Sequence, residues 1–422
     1  MDVDPARLAM MTPLCRAMVQ QAGIPIQILP TTKLDDALRD AEMVVTTVRV
    51  GFEHGRVLDE RIALDLNLLG QETTGAGGFS MAMRSIPLLL NIAERIEALA
   101  PNAWVFNFTN PNSLVGQALY AAGFSRVVGI SDSANAAQYL IARWLRCSPD
   151  LVRTQVFGLN HLSWTRRAMV EGRDVLAEAL ADDSFINSTH LRFFGSELVR
   201  HIGMFLNEYL YYYYFRDVAI ERIKAGDYTR GEEVEMLNRS LLETLRGLTP
   251  SEALRAYQAY NRRRSVSYMA YAEADEQIRV ERSHPNEEAT SVHQEEVGGY
   301  VGVALRTAVA LKKDRPLRIA LNVRNGDAIA GMQKDDIVEV TCEVDGTGIH
   351  PLYVGEIPED AYLLTRAVKR YERLAVEAIL NRNRMLAIEA LFAHPLIGSY
   401  PLAMRLVDGY LEAHGEYVGA WN

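Results

Sequence analysis

Asn110 and His161 each stand directly after a β-rich, apolar run of the sequence. An amide at the end of a strand can hydrogen-bond a cofactor or a substrate, and a neutral imidazole can bind a metal ion. Asn110 fits a simple strand-ending turn equally well, because Pro111 follows it and makes the turn rigid. A lone histidine such as His161 equally fits a structural role. Both interpretations of each residue stay open at this point.

A glycine-rich segment at residues 70–78 contains Glu72. Glycines let backbone N–H groups approach an anion at the start of a helix, so the segment could cradle a phosphate. It matches neither the dinucleotide-binding nor the P-loop pattern. Glu72 could instead hydrogen-bond a sugar hydroxyl, and a tight structural turn explains the glycines equally well.

Three consecutive arginines at residues 262–264 precede Tyr268. Cations close to a phenol favour its ionised form, and an ionised tyrosine is a usable base. A solvated basic helix end is the alternative. The four tyrosines at residues 211–214 are expected to serve packing, with one hydroxyl reaching a ligand.

The elements that must position these residues differ between the two parts of the chain. Over residues 1–150, short β-rich runs alternate with helical ones, which predicts βαβ units and a parallel sheet with ligands at the carboxyl ends of its strands. Residues 151–422 are predicted to form an α+β domain. The polar segment at residues 275–296 is predicted to be a loop or lid. The predicted strands lie at residues 25–29, 43–48, 104–108, 126–130, 155–164, 317–323 and 337–344.

Composition narrows the function classes. The chain has 422 residues and a formal net charge of −10, which argues against nucleic acid or an anionic membrane as the main partner. Cys15, Cys147 and Cys342 form no CxxC pair, which favours a reducing compartment. The first residues lack an apolar signal core and no apolar run is long enough to span a bilayer, so we predict a cytoplasmic protein.

The order of these motifs along nearly the whole chain resembles glycoside hydrolase family 4. The similarity is closest to the 6-phospho-β-glucosidase branch, in which a Cys-Asn or Cys-Asp pair follows the strand that here ends at Ile130. The motifs that carry the resemblance are residues 49–51 (Arg-Val-Gly), 59–61 (Asp-Glu-Arg), 70–73 (Gly-Gln-Glu-Thr), 107–111 (Asn-Phe-Thr-Asn-Pro), 158–161 (Gly-Leu-Asn-His) and 322–326 (Asn-Val-Arg-Asn-Gly).

The resemblance implies a doubly wound Rossmann-like domain followed by an α+β domain like that of lactate dehydrogenases. It also implies an unusual hydrolysis: NAD⁺ takes hydride from the sugar C3, a divalent metal such as Mn²⁺ polarises the C2 and C3 oxygens, and a tyrosine removes the C2 proton. The aglycone leaves by elimination, water adds, and the hydride returns. Family resemblance further implies a homodimer or homotetramer.

Carried over to this sequence, the resemblance assigns a role to each candidate residue. Tyr268 is the expected base and His161 a metal ligand. Arg324 is the candidate for the sugar phosphate, which a guanidinium suits through its fork of donors. The sugar or cofactor site is expected to be lined by Arg49, Glu72, Asn110 and Asn160.

This chain departs from the family pattern in two places. Its first residues resemble the end of the family's second strand, so the first βα unit, with the glycine turn that seats the NAD pyrophosphate, has no counterpart. Asp2 or Asp4 is the expected acidic residue for the adenosine ribose. Ser131 stands where the family has a metal-binding cysteine, and because a neutral hydroxyl is a poorer ligand than a thiolate, we expect weaker metal binding.

The sequence therefore predicts a family 4 enzyme that acts on a small sugar phosphate, specifically 6-phospho-β-glucosides, with NAD and Mn²⁺ or another divalent metal. Two other hypotheses stay open. One is a homologue without turnover that serves in binding or assembly, which both departures favour. The other is a dehydrogenase of the lactate/malate type, because a strand followed by Asn-Pro also occurs there.

Overall fold

The computed structural model describes residues 1–283 and 299–422. Within these two ranges, no helix combines the length and the apolar character needed to span a bilayer. The buried apolar side chains form one large core that runs through both parts of the chain.

The first part of the chain builds parallel strands joined by helices, as predicted. Strands β1 (Met43–Thr46), β2 (Trp104–Asn107) and β3 (Val127–Gly129) pair in parallel, in that order. These short apolar runs are mostly buried because helices cover the sheet. The connecting helices are α3 (Phe52–Asp65), α4 (Gly75–Leu99) and α5 (Asn112–Ala121).

Later strands extend this same sheet. The predicted runs at residues 317–323 and 337–344 form β8 (Leu317–Arg324) and β9 (Ile337–Asp345), and β10 (Gly348–Pro351) follows. Strand β8 joins β3 antiparallel through Gly129 and Asn322, which gives a six-stranded mixed sheet in the order β1-β2-β3-β8-β9-β10. Residues on both sides of the predicted division at residue 150 therefore share one sheet.

A second, antiparallel sheet lies against β9. It contains β4 (Arg153–Leu159), β5 (Leu162–Val170), β6 (Arg173–Asp174) and β7 (Phe205–Leu206). The N–H group of Val156 on β4 donates to Thr341 Oγ1 on β9 over 2.9 Å, which ties the two sheets together. Residues 160–161 form the two-residue turn between β4 and β5.

The other elements are helical. Short 3₁₀ turns occur at Ser133–Asn135, Pro149–Leu151, His190–Phe193, Glu208–Leu210 and Ala270–Ala272. The remaining helices are α1 (Pro5–Ala22), α2 (Leu34–Leu38), α6 (Ala136–Leu145), α7 (Leu176–Ala181), α8 (Asp183–Asn187), α9 (Ser196–Ile202), α10 (Tyr211–Tyr214), α11 (Arg216–Ala225), α12 (Arg230–Thr244), α13 (Pro250–Val266), α14 (Glu276–Ser283), α15 (Gly299–Lys313), α16 (Glu359–Asn381), α17 (Arg384–Ala393), α18 (Tyr400–Ala413) and α19 (Gly415–Val418).

Two predictions about local structure were wrong. Residues 25–29 form no strand, because β1 is the edge of the sheet and none of the described strands pairs beyond it, so Ile26 and Leu29 are exposed. The predicted loop at residues 275–296 begins with the helix α14. Residues 284–296 of that predicted loop lie outside the described residues.

Candidate functional site

A cleft of about 730 Å³ lies beyond the carboxyl ends of the parallel strands. Its wall includes Arg49, Glu72, Asn110 and Tyr268, so the structure brings four of the predicted site residues to one place. Arg49 follows β1, Glu72 precedes α4 and Asn110 follows β2. Tyr268 comes from a different part of the chain, just after α13. The location agrees with the rule that ligands bind outside the carboxyl ends of strands in α/β sheets.

Buried amides fix the end of β2 next to Asn110. Asn107 Nδ2 donates to the carbonyl oxygen of Thr109 over 3.0 Å, and its Oδ1 accepts from Thr46 Oγ1 over 2.8 Å. Asn112 Nδ2 donates to the carbonyl oxygens of Asn107 and Ile130, both over 3.0 Å. The ends of β1, β2 and β3 are thus bound together, and this network holds the turn that carries Asn110.

A chain of alternating charges runs along one side of the cleft. Arg49 Nη2 contacts Glu72 Oε2 at 2.5 Å, and Arg56 bridges Glu72 Oε1 at 3.0 Å and Glu60 Oε1 at 2.8 Å. Burial alone would raise the pKa of Glu72, but the guanidinium groups of Arg49 and Arg56 lower it to about 2. Glu72 is therefore ionised at neutral pH. Arg56 was not predicted as a site residue, because no motif of the sequence analysis includes it.

The glycines at residues 70–78 permit a close approach of backbone to backbone. A Cβ at Gly77 would lie 2.3 Å from the carbonyl oxygen of Gln71, and a Cβ at Gly78 would lie 2.7 Å from that of Thr73. The side chain of Gln71 folds back and accepts from the N–H groups of Thr73 and Thr74, both over 2.7 Å. For residues 70–78 the structure supports the interpretation as a tight structural turn. This turn positions Glu72 on the cleft wall and Thr73 next to His161.

His161 occupies the second position of the β4–β5 turn with a positive φ of 62°. Its Nδ1 lies 3.0 Å from Thr73 Oγ1, whose single hydroxyl proton points to Gln71 Oε1 over 2.9 Å. Thr73 therefore accepts from a protonated Nδ1, and Nε2 of His161 keeps a free electron pair. Burial lowers the pKa of His161 to about 3, so the ring is neutral. This is the protonation state that a metal ligand requires.

Two tyrosines of the cleft wall, Tyr209 and Tyr268, lie on the cleft side of His161. The ring of Tyr209 stacks on the imidazole of His161, and the phenols of Tyr209 and Tyr268 interact with each other. Tyr268 in turn donates to Glu208 Oε1 over 3.2 Å. The sequence prediction named Tyr268 and did not single out Tyr209, which lacks any local motif.

Of the two interpretations of the arginine run at residues 262–264, the structure favours the solvated helix end over a role in acidifying Tyr268. Burial, together with Tyr209 and Glu208, raises the pKa of Tyr268 well above its usual value. The three arginines are exposed at the end of α13, and Arg264 Nη1 donates to Tyr260 over 2.9 Å. Most of this arginine run is therefore a solvated basic helix end.

Asp132 and Glu208 form a carboxyl pair on the cleft wall that the sequence prediction missed as site residues. Burial and then the nearby Glu208 raise the pKa of Asp132 to about 7, and burial also raises the pKa of Glu208. Ser133 Oγ donates to Glu208 Oε1 over 3.1 Å. Asp132 lies just beyond the end of β3, so the strand-end rule that marked Asn110 could have marked it too.

The structure places the other predicted site residues away from the cleft wall. Ser131 is buried behind it, and Asn160 Nδ2 donates to Glu339 Oε1 over 3.2 Å. Arg324 is exposed and pairs with Asp335. At the chain start, the carboxylates of Asp2 and Asp4 accept from backbone N–H groups at the beginning of α1.

Few protein side chains near His161 could serve as ligands of a metal ion. Among residues 1–283 and 299–422, no three His, Cys, Asp or Glu side chains are grouped to hold a metal ion. The free electron pair on Nε2 of His161 fits a divalent metal, whereas Ser131 offers a neutral hydroxyl. A metal at this place would take its other donors from the substrate or from water.

Comparisons with known proteins cover almost the whole chain. The family model "Family 4 glycosyl hydrolase" matches residues 1–147, and "Family 4 glycosyl hydrolase C-terminal domain" matches residues 156–397. A probable 6-phospho-β-glucosidase from Bacillus subtilis strain 168 is 30% identical, covering 96% of this chain and 86% of that protein. The 6-phospho-β-glucosidase from Escherichia coli K12 is 28% identical, covering 96% of this chain and 85% of that protein.

A solved structure also covers both parts of the chain. The 6-phospho-β-glucosidase from Thermotoga maritima, solved with manganese, NAD⁺ and glucose-6-phosphate, aligns with a TM-score of 0.81 at 26% identity. The alignment covers 99% of this chain and 91% of that one. The predicted resemblance and fold class are confirmed by these matches, and the chain belongs to the family 4 glycosyl hydrolases.

Proposed function

We propose that this chain hydrolyses 6-phospho-β-glucosides with the help of NAD and a divalent metal, Mn²⁺ or one similar to it. One observation carries the proposal: a single cleft wall holds Arg49, Glu72 and Asn110 together with Tyr209, which stacks on a neutral histidine that keeps a free Nε2 electron pair. The β-glucoside and the phosphate come from the names of the relatives. Arg222, Arg264 and Arg279 on the same wall supply further positive charge for a phosphate.

His161, with Ser131 in place of the family cysteine, would hold the metal. When bound, the metal would polarise the sugar oxygens and so acidify the neighbouring C–H bond. The hydrogen bond to Thr73 holds His161 in the tautomer that leaves the electron pair of Nε2 free for the metal.

NAD would supply reversible hydride transfer, with Asn110 at the end of β2 as the candidate residue for contacting the cofactor. Asp2 and Asp4 stay the candidates for the adenosine ribose; the carboxylate of Asp4 caps α1, and that of Asp2 accepts from the N–H group of Asp4.

Tyr209 is a better candidate for the base than Tyr268. Burial raises the pKa of both phenols well above the ordinary value, so the position of Tyr209 against His161 separates the two candidates. Tyr209 must lose its own phenol proton before it can accept the sugar proton, and Tyr268, which contacts Glu208, is the neighbouring group towards which that proton would leave. Tyr209 also lies directly against the candidate metal ligand, where the acidified proton is expected.

Asp132 is suited to protonate the leaving oxygen. Burial raises its pKa to about 7, so a large part of the population carries the proton near neutral pH. Its neighbour Glu208 contributes to this shift and receives hydrogen bonds from Ser133 and Tyr268. The carboxyl pair and the two tyrosines thus lie together on one wall of the cleft.

We further propose a cytoplasmic homodimer or homotetramer. A row of exposed apolar side chains on α15 supports self-association, because Val301, Leu305 and Val309 are 63%, 54% and 45% exposed at helical spacing. Light scattering coupled to size-exclusion chromatography tests this part. A monomer at micromolar concentration would contradict it.

Hydrolysis of a chromogenic 6-phospho-β-glucoside, with and without NAD⁺ and Mn²⁺, tests the activity. We expect release of the chromophore that needs both additions, with no net NADH because the redox cycle closes. Accumulation of NADH would favour the dehydrogenase hypothesis instead. No release under any combination, from protein that is folded by circular dichroism, would favour the homologue without turnover.

A further inference from the structure

A buried carboxylate lies behind the β4–β5 turn, outside the cleft. Glu339 on β9 has no solvent exposure and accepts hydrogen bonds from three side chains in two different stretches of the chain. Its Oε1 accepts from Asn160 Nδ2 over 3.2 Å and from Asn322 Nδ2 over 3.0 Å, and its Oε2 accepts from Ser163 Oγ over 2.8 Å. The hydroxyl of Ser131 also favours its ionised form, although its geometry falls short of a full hydrogen bond.

Two of these donors flank His161. Asn160 precedes the histidine and Ser163 follows it by two residues. Glu339 therefore holds a side chain on each side of the short turn that carries His161. His161 has a positive φ of 62°, which a non-glycine residue adopts only when its surroundings impose it. The carboxylate supplies part of that constraint.

The third bond continues from Ser163 to Tyr209. Ser163 Oγ accepts from Asn207 Nδ2 over 3.1 Å, while Asn207 Oδ1 accepts from the N–H group of Tyr209 over 3.0 Å. The N–H group of Asn207 also donates to the carbonyl oxygen of Ser163 over 3.1 Å. One carboxyl group is therefore connected through hydrogen bonds to the side chains on either side of His161 and to the backbone N–H group of Tyr209.

We propose that Glu339 is a positioning residue that holds His161 and Tyr209 in their stacked arrangement, by fixing Asn160 and Ser163 directly and Asn207 through Ser163. The inference rests on the proposed metal and base roles of these two residues. Partners behind a metal-binding histidine commonly change metal affinity by 10–100-fold when they are removed. Glu339 touches neither substrate nor cleft.

Three side-chain groups donate to the two oxygens of Glu339, and burial raises its pKa to about 7. Glutamine at this position keeps the shape but replaces one acceptor oxygen by an NH₂ group, which would face either the Ser163 hydroxyl or the amides of Asn160 and Asn322. At least one buried hydrogen bond is then lost. Glu339→Gln therefore breaks the network without opening a cavity.

The test compares Glu339→Gln with Glu343→Gln, a matched control on the same strand whose carboxylate is partly exposed and contacts Arg318 at 3.4 Å. The first readout is Mn²⁺ affinity from electron paramagnetic resonance of the free ion. The second is the ¹⁵N NMR signature of the His161 ring in metal-free protein, assigned with His161→Asn. We expect about a tenfold or greater loss of Mn²⁺ affinity and a second His161 tautomer in Glu339→Gln, and neither change in Glu343→Gln.

The two readouts separate this inference from the proposed function. Wild-type affinity and a single Nδ1–H tautomer in Glu339→Gln would overturn the inference. A wild-type protein that binds no Mn²⁺ would overturn the metal role, and the His161 spectrum alone would then decide whether Glu339 positions the ring. Should Glu339→Gln fail to fold, Ser163→Ala breaks the same link at its centre, and an unchanged His161 spectrum and Mn²⁺ affinity there would count against the inference.

Discussion

The imidazole ring of His161 lies flat on the phenol ring of Tyr209, with the ring centroids 3.7 Å apart and the planes inclined by 3°. This stack places a phenol directly beside the residue that the family resemblance marks as a metal ligand. Tyr268, which the sequence motif favoured, interacts with Tyr209 and donates to Glu208 but makes no stacking contact with His161 that the described residues show. The two tyrosines should therefore contribute unequally to catalysis.

Removing the Tyr209 hydroxyl should cost more activity than removing that of Tyr268. We expect Tyr209→Phe to lower kcat/KM by about 10²- to 10⁴-fold, as for loss of a general base, and Tyr268→Phe to lower it by about tenfold. Tyr214→Phe removes only a hydroxyl contacted by Trp164 Nε1 and serves as the control. Steady-state hydrolysis of a chromogenic 6-phospho-β-glucoside measures all three. A larger loss for Tyr268→Phe would return the base role to Tyr268.

Local sequence patterns predicted the parallel strands but not how the later strands join them. The runs that form β1, β2 and β3 are short and apolar between helical segments, so their period and order predict βαβ units. The antiparallel pairing of Gly129 with Asn322 joins residues that are far apart in sequence, and no local pattern encodes such a contact. Residues 25–29 have strand-like composition but no partner strand, so composition alone misled there.

The site could be predicted where a residue follows a strand, and not where long-range packing selects it. Asn110 and His161 stand at strand ends, and the structure places both at or next to the cleft. Tyr209 and Glu208 come from an irregular stretch after β7, and only the folded chain brings them to His161. Arg324 belongs to a family-like motif, yet its side chain points to Asp335 on the surface.

Arg324 should be dispensable for binding the sugar phosphate, whereas Arg49 should not. Arg324 is exposed and paired outside the cleft, while Arg49 lies on the cleft wall against Glu72. We expect Arg324→Ala to leave KM within about twofold of wild type, since exposed ion pairs contribute little. Arg49→Ala should lower kcat/KM by about tenfold or more, because charged hydrogen bonds contribute about 1.5–3 kcal/mol. A KM increase confined to Arg324→Ala would restore its predicted phosphate role.

Replacing Ser131 by the cysteine of the family pattern should strengthen metal binding. A thiolate is a charged ligand, and a neutral serine hydroxyl is a poor one. We expect Ser131→Cys to bind Mn²⁺ about tenfold or more tightly than the wild-type chain, measured by titration calorimetry. Ser85→Cys, at a buried serine on α4, controls for adding a buried thiol. Equal Mn²⁺ affinities for wild type and Ser131→Cys would show that the hydroxyl is not a limiting ligand.

Gly158, on β4 just before the β4–β5 turn, should be difficult to replace. Its φ is 133°, and a Cβ there would lie 2.2 Å from the carbonyl oxygen of Leu162. Gly172 also has a positive φ, 83°, but a Cβ would meet nothing within 4 Å. We expect Gly172→Ala to lower the free energy of unfolding by about 1 kcal/mol and Gly158→Ala by clearly more, about 3 kcal/mol. Urea unfolding measures both, and similar losses would mean that the hairpin can shift to admit a methyl group.

The charge of Glu72 should make the protein less stable in acid. Its pKa falls from an ordinary 4.5 to about 2 in the folded chain, because Arg49 and Arg56 outweigh the effect of burial. A carboxyl with a lowered folded pKa stabilises the protein fully above the unfolded value, and this contribution is lost as the pH falls through about 2. The shift corresponds to about 3 kcal/mol.

Glu72→Gln should therefore flatten the pH dependence of the free energy of unfolding between about pH 5 and pH 2, by up to that amount. The variant is expected to be less stable than wild type at pH 7, where Arg49 and Arg56 lose their shared partner, and to approach wild type in acid. Glu389→Gln, at an exposed carboxylate that contacts Arg370 at 2.8 Å, should leave the slope unchanged. Urea unfolding at a series of pH values gives the slopes. Identical slopes for Glu72→Gln and wild type would mean that Glu72 keeps an ordinary pKa and that the Arg49–Glu72–Arg56 chain does not hold its charge.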